Sequence, residues 1–78
     1  MAAVTLYWRP MCGYCMTLKR ALEARDIPFS SVNIWDDRGQ AEVVKAANDG
    51  DELVPTVRVG EEFLPNPSLE DVLAALTD

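Results

Sequence analysis

Cys12 and Cys15 are the only cysteines in this chain of 78 residues. They stand two residues apart, where one periodicity gives way to another. Before them, Val4, Leu6 and Trp8 alternate with Thr5 and Tyr7, the period-two pattern of a strand. After them, Cys15, Leu18, Ala21 and Leu22 recur at helical spacing, and the helix is expected from about Gly13 to Arg25. Pro10 and Gly13 punctuate the change, and Gly13 is the residue expected to let the backbone turn tightly. A strand that breaks into a helix at a cysteine pair points to a layered α/β fold with a thiol at the strand-to-helix junction.

The rest of the chain continues the alternation. Asp26 and Pro28 end the first helix. Phe29 to Ile34 reads as a second strand, and Ser30 and Ser31 mark it as an edge. Asp36 and Asp37 stand where they cap a second helix, running to about Asn48 on Ala41, Val44 and Ala47. Asn48 to Glu52 is a turn by composition, and its acids lack the spacing of a calcium loop. Thr56–Val59 and Glu61–Leu64 read as two short strands, with Gly60-Glu61 suited to a type II′ turn. Ser68 offers a third helix cap, with Asp71 three residues on, before the stripe Leu69, Val72, Leu73 and Leu76. The order β-α-β-α-β-β-α implies one domain over residues 1–78, a mixed four-stranded sheet with three helices.

Composition excludes several functions. The net charge of −6 argues against nucleic acid as the main partner. No apolar run approaches the roughly 20 residues of a membrane span. The N-terminus MAAVTLYW has neither a basic region nor a small-residue cleavage site, so the expected location is cytoplasmic. The protein is expected to act as a monomer. Charge is uneven: residues 1–25 carry four cations and one anion, and residues 26–78 carry three cations and twelve anions. The basic excess surrounds the cysteines. For Arg25 a solvated helix face is sufficient explanation, whereas Arg9, Lys19 and Arg20 lie close enough in sequence to a thiol for an electrostatic role.

A bridge across so short a loop restrains the unfolded chain little, so a purely structural staple is the weaker reading. A structural zinc site needs four ligands, usually Cys or His, and the chain has no histidine and no third cysteine. No metal site and no tightly bound cofactor are expected. Phosphate-loop and dinucleotide fingerprints are also absent. Position then favours thiol chemistry. A helix start presents unpaired N–H groups and a positive dipole end, which stabilise a thiolate. Cys12 lies at that start and is the expected nucleophile. Cys15, one turn in on the apolar face, is the expected resolving thiol. Tyr14 should project outward and meet substrate, against the simpler reading of an ordinary surface aromatic.

With CGYC at a helix start and Val54-Pro55-Thr56 before a hairpin, the sequence resembles the thioredoxin superfamily, most closely the glutaredoxins and, among them, the mycoredoxins. Cys12-Gly13-Tyr14-Cys15 matches the mycoredoxin motif, Leu53-Val54-Pro55-Thr56-Val57 is similar to the family's TVPTV, and Asn66-Pro67-Ser68 matches its NPS. The resemblance covers nearly the whole chain. It implies a thioredoxin-like fold and a cis Val54-Pro55 peptide facing Cys12. It also implies a thiol–disulfide oxidoreductase that reduces protein mixed disulfides with a low-molecular-weight thiol. Tyr14, Val54, Pro55, Asn66, Pro67 and Ser68 would bind substrate, with Val54 pairing its backbone to the substrate's. A plain helix start is the competing reading of Pro67 and Ser68.

Gly13 in place of the proline of CPYC, and Asn66-Pro67 in place of a glycine pair, point to mycothiol. Arg9 stands where many glutaredoxins have a lysine that meets glutathione's carboxylate, so glutathione is the second choice of thiol. Many mycoredoxins have Trp directly before the first cysteine, where this chain has Met11. Two other readings remain open at this point. One is a thioredoxin- or NrdH-redoxin-like reductase served by thioredoxin reductase, although the NrdH-type WSGF-like C-terminus is missing. The other is a non-enzymatic iron–sulfur carrier that bridges a cluster between two chains.

Overall fold

The computed structural model describes residues 3–77. Its elements are β1 (Val4–Trp8), α1 (Gly13–Ala24), β2 (Ser30–Asn33), α2 (Arg38–Ala47), β3 (Thr56–Val59), β4 (Glu62–Pro65) and α3 (Leu69–Thr77). The sheet order is β2-β1-β3-β4. β1 pairs parallel with β2 and antiparallel with β3, and β3 pairs antiparallel with β4. This is the thioredoxin-like arrangement of three helices on a mixed four-stranded sheet. β2 is an edge strand, and Ser30 and Ser31 on it are exposed.

The alternation in β1 has a direct structural meaning, because the central strand is covered on both faces. Val4 and Leu6 join Leu18 and Leu22 of α1, Val57 and Val59 of β3 and Val72 of α3 in one apolar cluster, with Trp8 packed against it. Tyr7 points the other way, into a second cluster with Ile34 and with Ala41 and Val44 of α2. The sheet is thus sandwiched, with α1 and α3 on one face and α2 on the other. Burying large aliphatic side chains of this kind stabilises a fold by roughly 1.5–3 kcal/mol each.

Local chemistry fixes the helix ends. The first helix closes in a Schellman motif: Ile27 N–H donates to Leu22 O at 3.1 Å and Asp26 N–H to Glu23 O at 3.1 Å, with Asp26 left-handed at φ 54°. Leu22 belongs to the first cluster, and Ile27 packs against that cluster. Asp37 caps α2 by accepting from Gln40 N–H at 3.3 Å. Ser68 and Asp71 form a reciprocal box at the start of α3. The Asp71 N–H donates to Ser68 Oγ at 3.1 Å, and the Ser68 N–H donates to Asp71 Oδ2 at 2.9 Å.

Three local expectations shift. The second strand shortens by one residue at each end, because its pairing with β1 spans only Ser30 to Asn33. The last strand begins at Glu62, not Glu61, because the two-residue turn consumes both Gly60 and Glu61 and Val59 faces Glu62 across it. Gly60 has φ 62°, the positive first central angle that a type II′ turn requires. Third, the tight turn ahead of α1 does not rest on Gly13. Met11 takes the left-handed conformation, φ 61°, directly after Pro10, while Gly13 is simply the first helical residue with open space around its Cβ position. Holding a non-glycine residue there costs roughly 1–2 kcal/mol.

Candidate active site

Parallel pairing of β1 and β2 brings their C-terminal ends to one edge of the sheet. Antiparallel pairing brings the start of β3 and the end of β4 to the same edge. Across that edge, in sheet order, stand Trp35 after β2, Arg9 and Cys12 after β1, Val54-Pro55 before β3, and Asn66-Pro67-Ser68 after β4. Residues remote in sequence are gathered here by register alone.

Cys12 is the N-cap of α1, and its Sγ accepts the Cys15 N–H at 3.2 Å. It is joined to Cys15 as a disulfide, with the two Cα atoms 5.2 Å apart. The bonded Cys12 sulfur stands where the thiolate sits in the reduced protein, so a helix-start N–H already points at it. No acidic residue lies in the first turn of α1 to compete for the positive end of the dipole. Cys15 is fully buried, whereas Cys12 keeps a sliver of exposure. That asymmetry lets a disulfide reach Cys12 first.

The resemblance-implied residues divide into groups. Tyr14, Asn66, Pro67 and Ser68 converge on one groove of about 280 Å³, shared with Thr17, Leu18, Ala21 and Leu69. No charged side chain lines it. The Val54-Pro55 peptide is cis, and Pro55 O accepts the Asn66 N–H at 2.8 Å, tying the loop before β3 to the loop after β4. Val54 and Pro55 therefore border the groove's Asn66 wall without lining it. Arg9 stands apart from this groove. Its guanidinium lies over the Trp35 ring, 5.6 Å from the centroid, and Nη1 donates to Pro10 O at 3.0 Å.

Sequence reasoning missed several contributors. Thr17, Leu18 and Ala21 share a helical face with Tyr14 at i+3, i+4 and i+7, so the spacing was there to be read. Trp35 gave one signal, an exposed aromatic just past a strand end where polar residues are usual. A small network was invisible in the sequence. Asn48 Nδ2 donates to Val44 O at 2.9 Å and to Thr56 Oγ1 at 3.3 Å, and Thr56 Oγ1 donates to Leu53 O at 2.7 Å, so the end of α2 braces the loop around Val54. Arg38 adds an exposed tie from α2 to the same loop, with Nη2 2.8 Å from Glu52 Oε2. That hydrogen bond holds the Glu52 carboxyl below the usual range and the Arg38 guanidinium above its own. Among the described residues no helix is long and apolar enough to cross a membrane, and no cluster of three or more His, Cys, Asp or Glu is placed to hold a metal ion.

A thioredoxin-like sheet with a paired CxxC capping its first helix defines a redox-active thiol protein. The comparisons narrow the class. The sequence profile of the glutaredoxin family matches residues 4–64, and the chain belongs to that family. A Mycobacterium tuberculosis protein that carries the name glutaredoxin is 43% identical over 76 residues, covering 96% of this chain and 90% of the relative. Mycoredoxin 1 of Corynebacterium glutamicum is 32% identical over 77 residues, covering 97% and 95%. Among solved structures, the Archaeoglobus fulgidus glutaredoxin superposes with a TM-score of 0.82 at 19% identity over 100% of this chain and 89% of that one. A thioredoxin-like protein superposes with a TM-score of 0.86 at 19% identity, covering 99% and 97%. These last two likenesses speak to the fold alone.

Proposed function

We propose that the chain reduces protein mixed disulfides with mycothiol, acting as a monomeric domain over residues 1–78 in the cytoplasm. The observation that carries the chemistry is Cys12 at the cap of α1, accepting the Cys15 N–H at 3.2 Å, with Tyr14, two residues on, lining an uncharged groove. The Cys12 thiolate attacks the small thiol's sulfur in the mixed disulfide. A Cys12–thiol disulfide forms, the protein's sulfur leaves as thiolate, and it takes a proton from water. A second thiolate then attacks the Cys12-bound small thiol, releasing the oxidised small thiol as its symmetric disulfide and restoring the Cys12 thiolate. Alternatively Cys15 attacks Cys12, expels the small thiol and leaves the Cys12–Cys15 bridge, which two further small thiols reduce.

The groove's character supports mycothiol over glutathione. Mycothiol's body is a neutral polyol, whereas glutathione carries two carboxylates. Tyr14, Thr17, Asn66 and Ser68 offer hydroxyl and amide partners, while Leu18, Ala21, Pro67 and Leu69 supply an apolar floor. Val54 gives its backbone to the substrate, and Pro55 borders the disulfide being attacked.

The test is intact-mass measurement on Cys15→Ser exposed separately to oxidised mycothiol and oxidised glutathione. The expected result is one mycothiol adduct on Cys12 that further mycothiol removes. A glutathione adduct alone, or no adduct with either, would overturn the assignment.

A further inference from the structure

Among the described residues, Thr56 is the polar residue that is buried, with no exposed surface at all. It opens β3 opposite the buried Tyr7, where an apolar side chain would pack as well. A hydroxyl in such a place is costly unless it is hydrogen-bonded. This one is used twice. Thr56 Oγ1 accepts from Asn48 Nδ2 at 3.3 Å and donates to Leu53 O at 2.7 Å. Asn48 Nδ2 also donates to Val44 O at 2.9 Å. A backbone carbonyl only accepts, so that contact fixes which way the Asn48 amide faces. With an N–H turned toward Thr56, the single hydrogen of the hydroxyl is left for Leu53 O. The relay therefore has one polarity, from Asn48 through Thr56 to Leu53.

The relay ends on the peptide just ahead of Val54. On the other side of Val54, Pro55 O accepts the Asn66 N–H at 2.8 Å. The Val54 side chain packs against the second apolar cluster. Val54 is thus anchored through both neighbours and through its side chain. Its own backbone is different. Val54 lies outside the helices and strands, and among the described residues no hydrogen bond engages its N–H or its C=O. A backbone held still with its own polar groups open is the form to which an extended chain adds with least ordering cost.

We propose that Asn48 and Thr56 are positioning residues for the protein half of the mixed disulfide: their relay presents the Val54 backbone to an incoming polypeptide and favours polypeptide substrates over small disulfides. This rests on the reading that Val54 gives its backbone to the substrate. A relay that only closed the end of α2 would cost stability when broken and would not discriminate between substrates.

The test uses three substrates: a hexapeptide with a central cysteine, the same peptide N-methylated at the cysteine and at the residue after it, and 2-mercaptoethanol. Each is made as its mycothiol and as its glutathione mixed disulfide, so the comparison stands whichever thiol is used. Thr56→Val keeps the shape and leaves Leu53 O without its donor. Asn48→Asp puts an acceptor where the donor was and draws the Thr56 hydrogen away from Leu53 O. Each variant should raise KM for the unmethylated peptide by about fivefold, the scale of one net hydrogen bond, with kcat and the 2-mercaptoethanol disulfide moving by less than about twofold. The double variant should be no worse than either single one, because both break one relay. Thr56→Ser should recover most of the loss. Asn48 is only half-buried, so Asn48→Asp supplies a folded variant should Thr56→Val fail to fold. Wild type that handles the N-methylated peptide as well as the unmethylated one would overturn the Val54 reading and this proposal with it. Wild type that discriminates against the methyl groups, with variants that leave the peptide KM unmoved or lose equally on the 2-mercaptoethanol disulfide, would overturn this proposal alone.

Discussion

Helices α1 and α3 begin at the same edge of the sheet and satisfy their first turns in opposite ways. α3 is closed by the Ser68–Asp71 box, and its first turn carries Glu70 and Asp71 against the dipole. α1 is capped by a sulfur, Cys12, with no acid in its first turn. One helix start is electrostatically complete and serves stability. The other keeps its positive end free of carboxylates, and the side chain offered to it is the Cys12 sulfur, the proposed nucleophile. A helix start becomes a thiolate site when carboxylates are kept away from it and the cap itself is the nucleophile.

Breaking the reactive cap has the largest expected effect. Cys12→Ser substitutes one good N-cap for another, so the melting temperature of the reduced protein should stay within a few degrees. Mixed-disulfide reduction should fall on the order of a thousandfold or more, because a neutral hydroxyl is a poor nucleophile beside a thiolate. Preserved turnover would remove Cys12 from the mechanism.

Making α1 resemble α3 is the next test. Gly13 has no neighbour within 4 Å of a built Cβ and does not need a positive φ, so Gly13→Glu fits. It should stabilise the helix by about 0.3–1 kcal/mol through the dipole. The same charge should slow alkylation of Cys12 by iodoacetamide near neutral pH by about two- to fivefold, since like charges near the thiolate disfavour it. Stability and reactivity moving in opposite directions is the signature; both moving together would break the comparison.

Opening the closed cap is a smaller change. Asp71→Ala leaves the Ser68 N–H without its partner and should cost about 0.5–1 kcal/mol, a fall in melting temperature of roughly 2–8 °C. Cys12 alkylation should not change, because the two helix starts are separate.

The smallest effect belongs to the exposed pair beside α2. Glu52 has its folded pKa lowered by Arg38, so its contribution is present above the unfolded carboxyl pKa and is lost as pH falls through the folded one. Arg38 is already charged throughout and its pKa is raised further, so no loss occurs on the alkaline side below its own titration. Denaturation of Glu52→Gln measured between about pH 6 and pH 3 should therefore show a slightly shallower acid loss than wild type, a small difference because both groups are solvated.

Much of this was open to reading in the linear chain. The Ser68–Asp71 spacing is a local signal and gave the α3 cap directly, as did Gly60-Glu61 for the hairpin. The site was half legible. Cys12 and Cys15 were clear from their position, and Tyr14, Asn66, Pro67 and Ser68 came from motif resemblance. Trp35 is not legible in the sequence, because its contact with Arg9 depends on Trp8 of β1 facing Asn33 of β2 in register. The sequence pattern assigns to Gly13 a turn that Met11 makes. Composition identifies a residue able to be left-handed, whereas the path from the end of β1 into α1 decides which residue is forced to be.

By itself, then, the sequence determined the order of elements, the caps, the hairpin turn and the place of the cysteine pair at the start of α1, because these depend on interactions spanning a few residues. Only the tertiary structure decided that Tyr14 and Asn66-Pro67-Ser68 share one neutral groove and that Arg9 lies over the Trp35 ring. Those residues come from α1, the loop between β4 and α3, the start of α3 and the loops after β1 and β2, and strand order and register set their arrangement across the edge.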